Sequence, residues 1–145
     1  MERTVDTKAR PEAVAAFLTD FTTAEQWDPG TVSCRRQDAS GPEKVGTSYE
    51  NVSEFRGRKT TLIYRIVDLD PGRRVRLVGD NKTIRTIDDL TFEPRDGGTR
   101  VIYKVDFVFK GLARLAAPFV KGSLNKLCDD GAAQMRKTLD GLNQT

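Results

Sequence analysis

TRVIYKVDFVFKGLARLAAPFVKGSLNKLCDDGAAQMRKTL, residues 99–139, changes its hydrophobic period at one glycine, Gly111. Before it the period is two. Val101, Tyr103, Val105, Phe107 and Phe109 fall on one face, and Lys104, Asp106 and Lys110 on the other with Ile102 and Val108. Such alternation marks a strand with one buried face. After Gly111 the spacing becomes three and four: Leu112, Leu115, Ala116, Phe119, Leu124, Leu127, Cys128, Met135, Leu139 and Leu142 trace one apolar stripe. The stripe predicts a long amphipathic helix, with Pro118 breaking or kinking its start so that the main helix begins near 118–123. A helix of that kind must lie on something, and the only large surface on offer is the face of a sheet.

Upstream, period two persists through 32–37, 47–54, 59–69, 73–79 and 83–92. Turn residues separate most of the runs: Gly41-Pro42, Gly57, Pro71-Gly72, Asp80-Asn81 and Asp96-Gly97-Gly98. Connections this short require antiparallel hairpins. Residues 2–7 alternate as well and add a first strand. RPEAVAAFLTDFTTAEQWDP, residues 10–29, reads as two short helices. Pro11 suits a first helical position, Val14, Phe17 and Leu18 share a face, and Asp28-Pro29-Gly30 stops a second helix near 22–27. The prediction is one α+β domain over residues 1–145. A curved antiparallel sheet of about seven strands wraps around a long C-terminal helix, with two short helices after the first strand.

The composition narrows the chemistry more than the partners. Of 145 residues, 37% are apolar and 31% charged, which suits a globular chain. A net charge of +3 permits an anionic partner without demanding one. No run approaches the ~18 apolar residues of a membrane span. No apolar signal-peptide core follows Met1, so a cytoplasmic location is expected. Cys34 and Cys128 lie outside any CxxC spacing and read as two buried, reduced thiols. There is no histidine. That removes His-based triads, His general bases and nearly every common zinc or iron site, so no metal is expected. Nor is a cofactor: Gly97-Gly98 sits in a hairpin turn, and residues 41–46 lack the Lys-Ser/Thr ending and the helix of a P-loop.

Four stretches carry a resemblance. Residues 10–29 resemble the start of the helix-grip superfamily, which includes START lipid-transfer domains, birch-pollen-allergen-like proteins and polyketide cyclases/dehydrases. VDLDPGRRVRLVG (67–79) and FEPRDGGTRVIYKV (92–105) resemble two of its hairpins. Residues 110–139 are similar to the C-terminal helix of its bacterial SRPBCC branch. The resemblance covers nearly the whole chain, and the order and spacing of the four motifs make it specific for fold. It implies a cavity between sheet and long helix that binds a hydrophobic small molecule: a lipid, a polyketide or a sterol-like compound. A strongly curved sheet cannot touch one helix across its whole width, which points to the same gap. Two alternatives stay open. One is a polyketide cyclase/dehydrase-type enzyme using that cavity; the other is a module that engages a protein or membrane surface.

Strand phase nominates the cavity wall: Leu62, Tyr64 and Ile66, then Val75 and Leu77, Leu90 and Phe92, and Tyr103, Val105 and Phe107, joined by Phe119 and Leu124 from the helix. Asp88 shares phase with Leu90 and Phe92. An inward carboxylate there has a raised pKa and is a candidate general acid/base or ligand-hydroxyl partner; a one-residue bulge would exchange it with Asp89. Tyr49, Asn51, Tyr64 and Tyr103 are read as groups that orient a polar ligand end. Trp27 is read as packing the second helix onto the sheet. The basic turns Arg56-Gly57-Arg58-Lys59 and Pro71-Gly72-Arg73-Arg74 are read as solvated tips. No aromatics interleave with them, so a nucleic-acid partner is not expected. A monomer or a homodimer is expected.

Overall fold

Seven strands form one antiparallel sheet in the computed structural model of the protein, which describes residues 1–38 and 41–144. In chain order the elements are β1 (Glu2–Thr7), α1 (Pro11–Thr19), a 3₁₀ turn (Phe21–Thr23), α2 (Ala24–Trp27), β2 (Thr31–Arg36), β3 (Ser48–Phe55) and β4 (Arg58–Asp70). There follow β5 (Arg74–Asp80), β6 (Ile84–Arg95), β7 (Gly98–Phe109), a 3₁₀ segment (Gly111–Ala116), α3 (Ala117–Asp140) and a last 3₁₀ turn (Gly141–Gln144). The sheet order is β1-β7-β6-β5-β4-β3-β2. Consecutive strands are hairpin neighbours, and β1 closes the row by pairing with β7, Val5 opposite Val101. This is the α+β arrangement of antiparallel sheet and long helix that the change of period predicts, and the helix grip that the resemblance implies.

Local chemistry bends the sheet. The register shifts in β2 between Thr31 and Ser33 and in β4 between Ile66 and Asp68, and such irregularities sharpen twist and curl. The β3–β4 hairpin turns on two residues, Arg56 and Gly57, both at positive φ (54° and 79°), the geometry whose twist matches the flanking strands.

Half of the concave face is filled. Val14, Ala15 and Leu18 of α1, with Phe21 and Trp27, join Val5, Val75, Leu77, Leu90, Phe92 and Val101 in one buried cluster. Met135 and Leu139 of α3 belong to it too, at 1% and 0% exposure. Hydrogen bonds pin the same part of the helix. Thr7 Oγ1 and the Lys8 backbone N–H donate to Asp140 at 2.6 and 3.0 Å. Arg3 Nε donates to Asp129 at 2.7 Å, and the Gln134 and Thr138 side chains donate to the Gln26 carbonyl at 3.2 and 3.3 Å.

The start of the helical region corrects the predicted stripe. Leu112, Leu115 and Phe119 are 86%, 72% and 82% exposed, while Ala113, Ala116 and Val120 are the residues of this region that line the cavity. The reason is the 3₁₀ segment: with three residues per turn, Leu112 and Leu115 stack on one side and Ala113 and Ala116 on another. α3 then begins at Ala117 with Pro118 in its first turn, and Phe119 inherits the outward side. Neither cysteine is bridged; Cys34 is buried and Cys128 half-buried. Among the described residues, no helix is long and apolar enough to cross a membrane, and no cluster of acidic and cysteine side chains is suited to a metal.

Candidate ligand cavity

Where α3 rises off the sheet, a cavity of about 280 Å³ opens between them. The sheet contributes Leu62, Tyr64, Thr86, Asp88, Tyr103, Val105, Phe107 and Phe109; the helix contributes Val120, Leu124, Leu127, Cys128 and Met135; Trp27 and Asp28 close one side. Register explains the sheet wall. Ile66, Leu77, Asp88 and Val105 lie opposite one another in successive strands, Asp88 and Val105 reaching the cavity while Ile66 and Leu77 pack in the core. Tyr64, Gly79, Thr86 and Phe107 form the adjacent inward row. Gly79 is what lets that second row exist. A Cβ there would stand 2.6 Å from the Tyr64 ring and 2.7 Å from Thr86 Oγ1. Without it, the Tyr64 ring lies across β5 and its hydroxyl accepts a hydrogen bond from Thr86 at 2.9 Å.

The cavity wall is mainly apolar, with polar side chains at the mouth, Glu54 and Thr83 among them, and at its inner end. Tyr103 donates to Asp88 Oδ2 at 2.6 Å. Oδ1 of the same carboxyl is buried and has no partner among the described residues, and neither has the indole Nε1 of Trp27. The Trp27 ring meets Tyr103 edge-on, with centroids 5.6 Å apart. Burial pushes the Asp88 carboxyl up to about 7; the Tyr103 hydrogen bond opposes that rise, the Asp28 carboxyl adds to it, and the nearby Thr86 hydroxyl, whose own donated bond goes to Tyr64, opposes it further. Asp28 is itself raised by burial, in spite of bonds from the Gly30 backbone N–H (2.9 Å) and Thr31 Oγ1 (2.9 Å). Burial and the nearby Asp88 charge hold the Tyr64 and Tyr103 hydroxyls well above the usual phenol range. Near neutrality the site therefore presents a carboxyl poised between its two forms, two protonated phenols and an unpaired indole N–H.

The residues nominated from sequence divide in two. Leu62, Tyr64, Asp88, Tyr103, Val105, Phe107 and Leu124 line the cavity. Val75, Leu77, Leu90 and Phe92 point to the same concave face but are packed in the core. Tyr49 is fully buried with its ring 5.9 Å from that of Phe21, so it supports the wall from behind. Asn51 also stands one layer out. Its Nδ2 donates to Thr31 Oγ1 at 3.1 Å, and that hydroxyl in turn donates to Asp28. Phe119, expected on the wall, is on the outside. Phase already contained Thr86 and Phe109, in step with Asp88 and Phe107. Asp28 carried no such signal, because Asp-Pro-Gly after a helix reads only as a stop.

A family model for polyketide cyclase / dehydrase and lipid transport proteins matches residues 1–140. No curated protein sequence matches the chain. Among solved structures, the Zhui aromatase/cyclase from a Streptomyces species superposes with a TM-score of 0.80 at 15% identity, covering 97% of this chain and 93% of that one. A START superfamily protein from Mycobacterium smegmatis gives 0.79 at 16%, covering 98% and 97%. A Thermus thermophilus protein gives 0.72 at 19%, covering 97% and 92%. At these identities the likeness is one of fold, and the fold is the helix grip. The match of the family model over nearly the full length places the chain in the polyketide cyclase / dehydrase and lipid transport family.

Proposed function

We propose that the protein binds one compact, mainly apolar molecule whose polar group reaches the inner end of the cavity. The observation that carries this reading is the pair of unpartnered buried atoms, Asp88 Oδ1 and Trp27 Nε1, on residues that wall the inner end of a mainly apolar chamber. A buried polar atom without a partner costs about 1–3 kcal/mol, which a ligand hydroxyl, enol or carbonyl would relieve. The volume lies just below the ~300–1,000 Å³ range of small-molecule pockets, favouring a ring system or one short chain over a two-chain lipid. In this reading Leu62, Val105, Phe107 and Leu124 clasp the apolar body while Tyr64, Asp88 and Tyr103 orient its polar end.

Titration calorimetry with 2-naphthol, whose hydroxyl both donates and accepts, tests the reading. Saturable one-to-one binding, weakened about tenfold or more by Asp88→Asn or Trp27→Phe, is expected for loss of one buried hydrogen bond. Binding equally tight in both variants would remove the polar end from recognition. Native mass spectrometry of gently purified protein adds the chemical class of any compound it carries.

The near-neutral Asp88 carboxyl favours a second reading, an enzyme of the cyclase/dehydrase kind. A general acid/base works best when its pKa lies near the operating pH, and Tyr103 stands at hydrogen-bond distance to relay or hold the proton. The enclosed wall would hold a poly-carbonyl chain in a folded shape, and orientation would supply much of the rate. Asp88→Asn would then abolish turnover of such a chain while leaving a measurable affinity for it.

A further inference from the structure

The cavity meets solvent at one end of the sheet. There its lining includes exposed residues from three separate segments: Glu54 at the end of β3, Thr83 before β6, and Ala116 before α3. These segments belong to one rim. The β3–β4 hairpin turns at Arg56-Gly57, Asn81 Nδ2 donates to the Thr61 carbonyl, and the Lys110 backbone N–H donates to Thr83. The opposite end of the cavity is walled by Trp27, Asp88 and Met135, all buried.

Two features of the rim are unusual together. Leu112, Leu115 and Phe119 stand exposed side by side at three- and four-residue spacing, on the outer side of the segment whose inner side lines the mouth. Monomer surfaces seldom collect large apolar side chains in this way. Around them Arg56, Arg58, Lys59, Lys82, Arg114 and Lys121 are exposed and have no ion-pair partner among the described residues. On the acidic side the rim holds exposed Glu54, while Asp80 is already bound by Lys110 and Arg85. At the far end of the sheet the basic tip is partly neutralised: Arg74 is held by Asp89 and Asp68, while Arg73 stands exposed.

From this combination we infer that the mouth of the cavity docks on an anionic lipid surface, Leu112, Leu115 and Phe119 entering the headgroup boundary and the cationic rim facing the lipid charges. Apolar side chains flanked by Lys and Arg are the chemistry by which a surface segment settles at a bilayer interface. Docked in this pose, the mouth faces the apolar phase, so a hydrophobic ligand enters or leaves without crossing water. That last consequence rests on the ligand-binding reading above; the docking itself does not.

Co-sedimentation with vesicles of equimolar phosphatidylcholine and phosphatidylglycerol, and with phosphatidylcholine alone, tests the inference. The protein should bind the anionic vesicles, and binding should fall as salt rises. Reversing Arg114 and Lys121 to Glu should weaken it at least tenfold, since each cation near such a surface contributes roughly a fivefold factor. The triple variant Leu112→Ser, Leu115→Ser, Phe119→Ser should weaken it about tenfold or more. No binding to anionic vesicles at low salt, or a triple variant that binds like the parent, overturns the inference. So does a triple variant that turns a dimer into a monomer with vesicle binding unchanged, because the patch would then belong to a second copy of the chain. Calorimetry with 2-naphthol without vesicles reads the cavity independently, so the two proposals fail separately.

Discussion

The C-terminal half of α3 buries Met135 and Leu139 almost completely in the core, whereas the N-terminal half keeps Phe119 at 82% exposure and leaves a chamber beneath it. Both halves belong to one helix of 24 residues and face the same sheet. Their partners differ. Met135 and Leu139 meet β1 and the α1–α2 region, which fill the sheet's curvature from the other side. Val120 and Leu124 have no short helix beside them, so the curved wall recedes from them. The grip is thus a clamp at one end and a lip at the other. Stability should be concentrated at the clamp, and ligand and surface chemistry at the lip.

Substitutions in the clamp should have the largest effect. Leu139→Ala removes a fully buried side chain and should lower unfolding free energy by about 2–5 kcal/mol in a urea titration. A loss below ~1 kcal/mol would mean that the two ends of the helix are not so differently packed.

A pH titration of stability examines the boundary between the halves. The Asp88 carboxyl keeps its proton to about 7 in the folded protein and releases it near 3.8 in the unfolded chain. Between those values the folded state binds more protons, so stability should fall as pH rises through that window, by at most ~4 kcal/mol. Asp28, also raised, acts in the same direction. Asp6, Asp80 and Asp140 are lowered by their partners and add stability as pH rises, but below the window. Asp88→Asn should therefore flatten the fall and leave the acid limb in place. An unchanged slope in the variant would show that Asp88 is ionised in the folded protein well below neutrality.

Gly79→Ala should cost about 1–3 kcal/mol, the usual penalty of overpacking, because the new Cβ presses on Tyr64 and Thr86. It should also reshape the cavity wall, weakening 2-naphthol binding more than Leu77→Val, a change at a core-packed position of the neighbouring row. Equal effects from the two would mean that Tyr64 does not shape the cavity.

What could be read from the sequence follows the same division. In the strands each residue's side is fixed by a period of two that short hairpins preserve, so Leu62, Tyr64, Asp88, Tyr103, Val105 and Phe107 reach the cavity as their phase predicts. Phase says only that a side chain points inward, however. Whether it meets a cavity or a neighbour depends on α1, α2 and the C-terminal half of α3 covering it. That is why Leu77, Leu90 and Phe92 became core. The 3₁₀ segment defeated the helical period directly, since three residues per turn rotates Leu112 and Leu115 away from the stripe drawn at 3.6. Asp28 and Asn51 matter through a chain of side-chain hydrogen bonds by way of Thr31, and hydrogen bonds between distant segments leave no periodic trace.

The smallest predicted effect is the most discriminating between the halves. Phe119→Ser replaces a large aromatic residue on a helix, a change that would cost about 3–5 kcal/mol in a core. Here the ring is already in water, and exposed sites usually respond within about 0.5 kcal/mol. Leu124→Ala, only five residues along the same helix, removes a side chain that is buried and lines the chamber. It should weaken 2-naphthol binding while Phe119→Ser leaves it unchanged. A Phe119 variant that destabilised the protein strongly would place the ring against the fold in solution, and the lip would then be closed by its own helix.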